Sequence, residues 1–276
     1  MSKLQKILVR ARRQVFSEMV GNNPSIFHGE GYDFIELREY MAGDDIRRID
    51  WNITAKMQKP YIKIFREERE LNVVIVSVLN GSVHFGSKKF KQDVIAEVVA
   101  QLSFSTLKNG DLLTSYIFTD KMVSHNKPSK KIHQIQKSVS DILDFNALNQ
   151  QCDFKVLSDT LYQRLKRKSL IIIVGDFFDI PDFKLLAKKH EVVCVVVRDH
   201  LEEKPPKMGF ASLVDPESGT TLEGDFNTYS VDAYAKKVQV HDRELYETFR
   251  KHQIRFTKVY TDDGASVALR RLFEGR

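Results

Sequence analysis

The sequence contains few cysteines and no long apolar run. Its 276 residues include two cysteines, Cys152 and Cys194, too few for the disulfide framework of a small secreted domain, so we expect reduced thiols. The longest apolar runs, such as residues 73–79 and 170–174, are far shorter than the roughly 20 residues that cross a bilayer. The opening MSKLQKILVRARRQVF lacks the continuous apolar segment of a signal peptide. These absences predict a cytoplasmic protein.

Common enzyme signatures are also absent. There is no Gly-x-x-x-x-Gly-Lys-Ser/Thr phosphate loop, and the Gly-x-Gly of HGEGYD has no predicted strand before it and no predicted helix after it. The segment HEVVC, which starts at His190, has Cys194 where a zinc-protease helix has its second histidine. The segment GSVHFG around Ser82 is not the Gly-x-Ser-x-Gly elbow of a serine hydrolase. We therefore predict no catalytic residue.

Basic residues exceed acidic ones, but the excess lies in one short segment. The formal net charge is +6. Most of it comes from five N-terminal residues, Lys3, Lys6, Arg10, Arg12 and Arg13. A surface that follows a phosphate backbone needs basic residues concentrated on the folded body. We therefore expect no nucleic-acid binding.

The N-terminal segment has apolar residues at helical spacing, namely Leu4, Leu8, Ala11, Val15 and Met19. This pattern predicts an amphipathic helix. The favoured interpretation is that its apolar stripe packs on its own domain. The alternative is peripheral contact with an anionic membrane surface or an acidic partner.

A dense set of opposite charges follows the N-terminal helix, and we call this segment the platform. A surface turn tied by weak ion pairs is the simplest interpretation. A second interpretation is a folded unit in which these side chains hold one another and the backbone by charge-assisted hydrogen bonds. The predicted structural residues of the platform are Arg38, Asp44, Asp45, Arg47, Asp50 and Trp51.

Beyond the platform, apolar strands alternate with amphipathic helices. This order predicts an α/β fold with a mostly parallel central sheet and helices on both faces. The segment LVDPESGTTLEGD interrupts the alternation with a turn between two short extended pieces, which predicts a hairpin insertion around residues 205–227. The predicted division is residues 1–70 for the helix and platform and residues 71–276 for the α/β domain.

The platform and the strand after it resemble the DUF58 family, a von Willebrand factor A-like group found beside MoxR-type AAA+ ATPases in bacteria. The shared pattern is GxGxDFxxLRxYxxGDDxRxIDW, here Gly29, Gly31, Asp33, Phe34, Leu37, Arg38, Tyr40, Gly43, Asp44, Asp45, Arg47, Ile49, Asp50 and Trp51. The segments VRDHLE and LVDPESG, within residues 197–219, are similar to the family's closing part. The resemblance implies a von Willebrand factor A-like fold.

The same resemblance implies a Mg²⁺ site called a metal-ion-dependent adhesion site. Its ligands are Asp-x-Ser-x-Ser after one strand, an Asp after a second strand and a Thr from a third loop. The resemblance aligns these with Val78, Asn80 and Ser82, with Asp176, and with Cys152 in place of the Thr. Because valine offers no ligand atom and cysteine a soft one, we expect a degenerate site with no cofactor or weak Mg²⁺ binding. A second interpretation makes Asp176 the cap of the following helix.

The resemblance also implies a function. It indicates a non-enzymatic protein-binding adaptor that works with a MoxR-type AAA+ ATPase in the maturation or assembly of client proteins. The predicted partner-binding residues are Asn80, Ser82, His84 and Asp176, in loops beyond the carboxyl ends of strands, where α/β sheets bind ligands. The alternative hypothesis is a metal-assisted hydrolase that uses Asp176 with a platform carboxylate, Asp44 or Asp45.

Overall fold

The structure, a computed structural model, describes residues 2–17, 33–66 and 70–274. Packing divides the chain into two units, residues 28–71 and residues 1–27 with 72–276. The N-terminal helix α1 (Lys3–Ser17) belongs to the larger unit. Met19 of the predicted stripe and the motif residues Gly29 and Gly31 lie outside the described residues.

The smaller unit contains the platform. Strands β1 (Asp33–Glu39) and β2 (Tyr61–Arg66) pair antiparallel, and helix α2 (Trp51–Met57) lies between them in the chain. Strand β1 was not predicted, because a register shift between Phe34 and Glu36 interrupts the regular alternation of a strand.

The platform charges pair with one another and cap turns. Arg38 donates to Asp44 at 2.8 Å, and the Asp44 carboxylate also accepts from the Met41 N–H at 2.8 Å. The Met41 N–H, followed by the Arg38 guanidinium, holds the pKa of Asp44 below its usual value. Arg47 donates to Asp45 at 3.0 and 2.9 Å. Charged residues thus organise the turn around Gly43, which has a φ of 111°.

Two other platform residues have different roles. Asp50 caps the start of α2 by accepting from the backbone N–H groups of Asn52 and Ile53 at 3.0 and 3.1 Å. Trp51 begins α2, but its side chain is 66% exposed. The indole therefore contributes little to the packing of the platform.

The larger unit is built on a six-stranded sheet with the order β10-β7-β6-β3-β4-β5. The strands are β3 (Asn72–Val78), β4 (Leu112–Phe118), β5 (Met122–Ser129), β6 (Leu170–Gly175), β7 (Glu191–Arg198) and β10 (Arg255–Tyr260). All neighbouring pairs are parallel except β4 and β5. The prediction of a mostly parallel α/β sheet is confirmed.

The strand order reverses between β3 and β6. From β3 the chain moves outward to β4 and β5, and it then returns to β6 on the other side of β3. The connections after β3 and β6 therefore leave in opposite directions, which opens a crevice at the carboxyl ends of these strands. Asn80 and Asp176 follow these two strands in the chain.

Helices cover both faces of the sheet. On one face α3 (Lys91–Lys108) contacts the central strands and packs with α1, α4 (Ile132–Asp144) and α9 (Ala265–Glu274). On the other face α5 (Phe154–Arg164), α6 (Lys184–Lys189) and α8 (Thr228–Lys251) share a buried apolar core with the strands. In α1 the side chains of Ile7, Ala11 and Val15 are buried. This packing explains why α1 belongs to the larger unit, whereas the expected division grouped it with the platform.

The predicted hairpin insertion is present. Strands β8 (Gly209–Val214) and β9 (Thr221–Phe226) pair antiparallel, and the short helix α7 (His200–Glu203) precedes them. No helix among the described residues is both long and apolar enough to cross a membrane.

Candidate functional site

Polar side chains from five segments meet at the carboxyl edge of the sheet, and we call this group the carboxyl-edge cluster. Asn80 follows β3, and Ser82 lies in the short 3-10 turn after it. Lys91 begins α3, Asp176 follows β6, and Glu202 lies in α7. Glu217 comes from the turn between β8 and β9. The cluster therefore joins segments that are distant in the chain.

Lys91 lies at the centre of the cluster. Its side chain is 0% exposed, and its ammonium nitrogen lies 3.0 Å from Oδ2 of Asp176 and 2.5 Å from Oε1 of Glu202. The ring of Phe178 lies 5.1 Å from the same nitrogen. A lysine buried in this way needs compensating negative charge, and Asp176 and Glu202 supply it.

Asp176 is bound from several sides. Besides Lys91, the Ser82 hydroxyl donates to Oδ2, and the Asn80 amide lies 3.5 Å from Oδ1. Burial opposes ionisation of this carboxyl, but the Lys91 charge and the Ser82 hydrogen bond outweigh it, so the pKa of Asp176 is lowered. Asp176 caps no helix, since α6 begins only at Lys184.

The other two carboxylates of the cluster shift in the opposite direction. Burial raises the pKa of Glu202, although Lys91 opposes the shift. Burial and the nearby charge of Asp176 raise the pKa of Glu217, whose carboxylate accepts from the Asn80 amide at 2.6 Å. The cluster thus has one carboxyl group whose pKa is lowered and two whose pKa values are raised.

The backbone after Asp176 is strained. Phe177 has a φ of 53°, which is unusual for a bulky residue and costs about 1–3 kcal/mol. Its buried ring stacks on Phe154 at 5.5 Å and meets Phe249 edge-on at 5.7 Å. This packing holds the turn that lets Asp176 and Phe178 both contact Lys91.

Asp199 connects three strand ends beside the cluster. Its carboxylate accepts from the Ser87 N–H at 2.8 Å, the Ser87 hydroxyl at 2.9 Å and the Leu201 N–H at 2.8 Å, and also from the Thr261 hydroxyl. Burial alone would raise its pKa, but the Ser87 N–H and the Thr261 hydroxyl outweigh it and lower the pKa of Asp199. Asp199 therefore fixes the loop after β3 to the ends of β7 and β10.

This lowered pKa predicts acid sensitivity. Since the folded-state pKa of Asp199 lies below the unfolded value, its ionised form stabilises the fold at neutral pH, and this stability is lost as the pH falls through the folded pKa. We expect the difference in urea midpoint between the natural protein and Asp199→Asn to be largest near pH 7 and to shrink below about pH 4. The exposed Asp232→Asn is the control. A difference that stays constant down to about pH 3 would refute this role.

The structure brings together most of the predicted partner-binding residues. Asn80, Ser82 and Asp176 are in contact, while the ring of His84 lies 5.6 Å from that of Phe90. Val78, which the resemblance aligned with the first ligand position, is a buried residue of the apolar core. Asn80 and Ser82, which the resemblance aligned with the second and third ligand positions, are the residues of this loop whose polar atoms reach Asp176.

Cys152 packs against the apolar core shared with α5, α6 and α8. Burial, followed by the nearby charge of Asp176, raises the pKa of its thiol. Both cysteines are free thiols.

Sequence reasoning missed four residues around the cluster. Asp199, Glu202 and Glu217 lie in the segments VRDHLE and LVDPESG, which were singled out without a role. Nothing in the sequence indicated that Lys91 belongs to the cluster, because a lysine in the first turn of a helix is normally solvated. Its burial depends on segments 85 and 111 positions away in the chain.

Comparison with known proteins finds uncharacterized relatives. The chain is 24% identical over 255 residues to the uncharacterized protein Rv1480 of Mycobacterium tuberculosis, covering 90% of this chain and 80% of the relative. A shorter match, 26% identical over 102 residues, is to the uncharacterized protein MAV169 of Mycobacterium avium, and covers 36% of this chain and 60% of the relative.

The chain also resembles two solved structures and matches one family model. The BatB protein of Bacteroides thetaiotaomicron aligns with a TM-score of 0.47 at 12% identity, covering 74% of this chain and 97% of that one. An aerotolerance-related membrane protein of Bacteroides fragilis aligns with a TM-score of 0.46 at 10% identity, covering 75% and 100%. The family described as "Protein of unknown function DUF58" matches residues 36–244. Since this match spans most of the chain, the protein belongs to the DUF58 family.

Proposed function

We propose that the protein is a non-enzymatic adaptor that binds proteins and works with a MoxR-type AAA+ ATPase in the maturation or assembly of client proteins. The observation that carries the proposal is that Asp176, the central carboxylate of the cluster, is held by Lys91 and Ser82 within the chain. A carboxylate whose pKa is lowered in this way is a weaker base than a free one. In this proposal the carboxyl edge serves as a surface that binds another protein.

Apolar side chains beside the cluster fit a recognition surface. Phe85, Phe90 and Leu201 are 40%, 48% and 40% exposed, and all three lie in the segments that Ser87 and Asp199 connect. Exposed aromatic residues around a polar centre are typical of protein interfaces. In this proposal the larger unit is a von Willebrand factor A-like module acting in the cytoplasm, with Ser82 and His84 facing the partner and the buried Asn80 and Asp176 anchoring them.

A metal-assisted hydrolase is the weaker alternative. It needs Asp176 and a platform carboxylate free to share a metal ion. Each of these carboxylates is already paired with a cation of its own unit: Asp176 with Lys91, Asp44 with Arg38, and Asp45 with Arg47. The geometry therefore favours binding over catalysis.

Association with the ATPase tests the proposal. We expect the purified protein to form a complex with a MoxR-type ATPase of the same organism at micromolar concentration, in at least one of the ATP, ADP and nucleotide-free states. The variant Phe85→Ser/Phe90→Ser should weaken this complex at least about tenfold, because exposed aromatic anchors carry much of the binding energy of an interface.

The control for this experiment is Val267→Ser on α9, since Val267 is 56% exposed. It should bind as the natural protein does. Absence of a complex in all three nucleotide states would contradict the proposal.

A further inference from the structure

The family resemblance implies a Mg²⁺ ion at the carboxyl edge of the sheet. Whether the residues there could bind such an ion depends on their donor atoms and on the charges around them. Hard oxygen donors, which Mg²⁺ prefers, are available from Asn80, Ser82, Asp176 and Glu202. Among the described residues, three or more His, Cys, Asp or Glu side chains bring their ligand atoms within 4.8 Å of one another only at the exposed His200, Asp262 and Asp263. Asp176 is not part of that group.

The oxygen donors of the cluster are arranged around an ammonium group. The Lys91 nitrogen lies 3.0 Å from Asp176 and 2.5 Å from Glu202. A divalent ion bound to the same carboxylate oxygens would lie within a few ångströms of this ammonium, and the like charges would repel strongly in a buried site. The residues present therefore do not fit a resident Mg²⁺.

We infer that Lys91 is a built-in cation, and that its ammonium performs the positioning role that the resemblance assigns to a metal ion. An ammonium group has three donors and no acceptor, so one lysine can bind carboxylates from two segments at once. Here it joins the start of α3 to Asp176 after β6 and to Glu202 in α7. Ser82 and Asn80 attach the loop after β3 to the same carboxylate.

A built-in cation differs from a bound ion in one important way. Because Lys91 is covalently part of the chain, it cannot dissociate, and the loops that it joins stay in place at any Mg²⁺ concentration. The surface beside the cluster is then permanently formed. This inference concerns the charge balance of the chain itself and does not depend on the proposed adaptor function.

The inference predicts a latent metal site. Truncating Lys91 to alanine removes the ammonium and leaves space beside two carboxylates, Asp176 and Glu202. The Ser82 hydroxyl is next to them, and Oδ1 of Asn80 is buried with no hydrogen-bond partner in the described part of the chain. These are ligands that Mg²⁺ and Mn²⁺ accept. Lys91→Met removes the same charge but fills the space, so it is the matched control.

The test combines Mn²⁺ titration with thermal unfolding. We expect the natural protein and Lys88→Ala, which changes an exposed lysine, to show no Mn²⁺ site tighter than about 1 mM and no change in unfolding midpoint. Lys91→Ala should unfold about 6–20 °C lower without metal. It should bind one Mn²⁺ per chain with a Kd near or below about 100 μM, and 1 mM Mn²⁺ should raise its midpoint by about 3–6 °C.

The outcomes separate a built-in cation from an ordinary structural lysine. Binding by Lys91→Ala but not by Lys91→Met supports the inference, because it places the metal ion in the space that the Lys91 ammonium occupies in the natural protein. If Lys91→Ala does not fold without metal, recovery on refolding with Mn²⁺ supports the inference, and equal failure with and without Mn²⁺ overturns it. A micromolar, stoichiometric Mg²⁺ or Mn²⁺ site in the natural protein, abolished by Asp176→Ala, also overturns it.

Discussion

Replacing Lys91 by methionine is expected to lower the free energy of unfolding by about 3–5 kcal/mol, the cost of leaving a buried ion pair without one partner. The side chain of Lys91 is completely buried, and that of Asp176 is nearly so. Methionine keeps most of the volume of lysine, so the loss reports on charge rather than on a cavity. Denaturation in urea at pH 7 measures it, and Lys88→Met should differ from the natural protein by less than about 0.5 kcal/mol.

A triple variant identifies the cause of that loss. Lys91→Met/Asp176→Asn/Glu202→Gln removes the charge of Lys91 and those of its two partners, and replacing a buried ion pair by neutral residues is often close to neutral in stability. We expect the triple variant to recover most of the stability lost in Lys91→Met. A triple variant as unstable as the single one would show that uncompensated charge is not the reason.

Substituting Gly81 by alanine is the second prediction with a large effect. A Cβ atom at this position would lie 2.2 Å from the carbonyl oxygen of Pro216 and 2.7 Å from the backbone nitrogen of Glu217. Since these are backbone atoms, the turn between β8 and β9 must move. We expect a loss of about 3 kcal/mol, the upper end of the usual cost of overpacking, because the Asn80–Glu217 hydrogen bond is strained as well.

Gly224→Ala provides the matched control for Gly81→Ala. Gly224 lies in β9 of the same hairpin, and a Cβ atom there meets nothing within 4 Å. It should change the urea midpoint little or raise it slightly, because alanine restricts the unfolded chain. Equal effects of the two substitutions would show that the hairpin turn does not pack closely against the loop after β3.

The architecture of the larger unit could be predicted because its signals are local. The run at residues 73–79 is apolar on both faces, which requires a central strand, and helical spacing marks α3, α4 and α8. In contrast, β1 has a register shift between Phe34 and Glu36, and its alternation is too irregular to indicate a strand.

The carboxyl-edge cluster could be predicted only in part. Asn80, Ser82 and Asp176 follow apolar strands, so sequence order alone places them at the same edge of a parallel sheet. The position of Lys91 could not be predicted, because a buried lysine and a solvated one look the same in a sequence. Only the packing of α3 against distant loops brings its ammonium between Asp176 and Glu202.

The most direct test of the central claim, that a lysine rather than a metal ion organises the carboxyl edge, is anomalous diffraction from crystals of the natural protein soaked in Mn²⁺. We predict density for the Lys91 ammonium between Asp176 and Glu202 and no manganese peak beside them. A manganese peak within about 2.5 Å of an Asp176 carboxylate oxygen, with Lys91 displaced from it, would contradict the account.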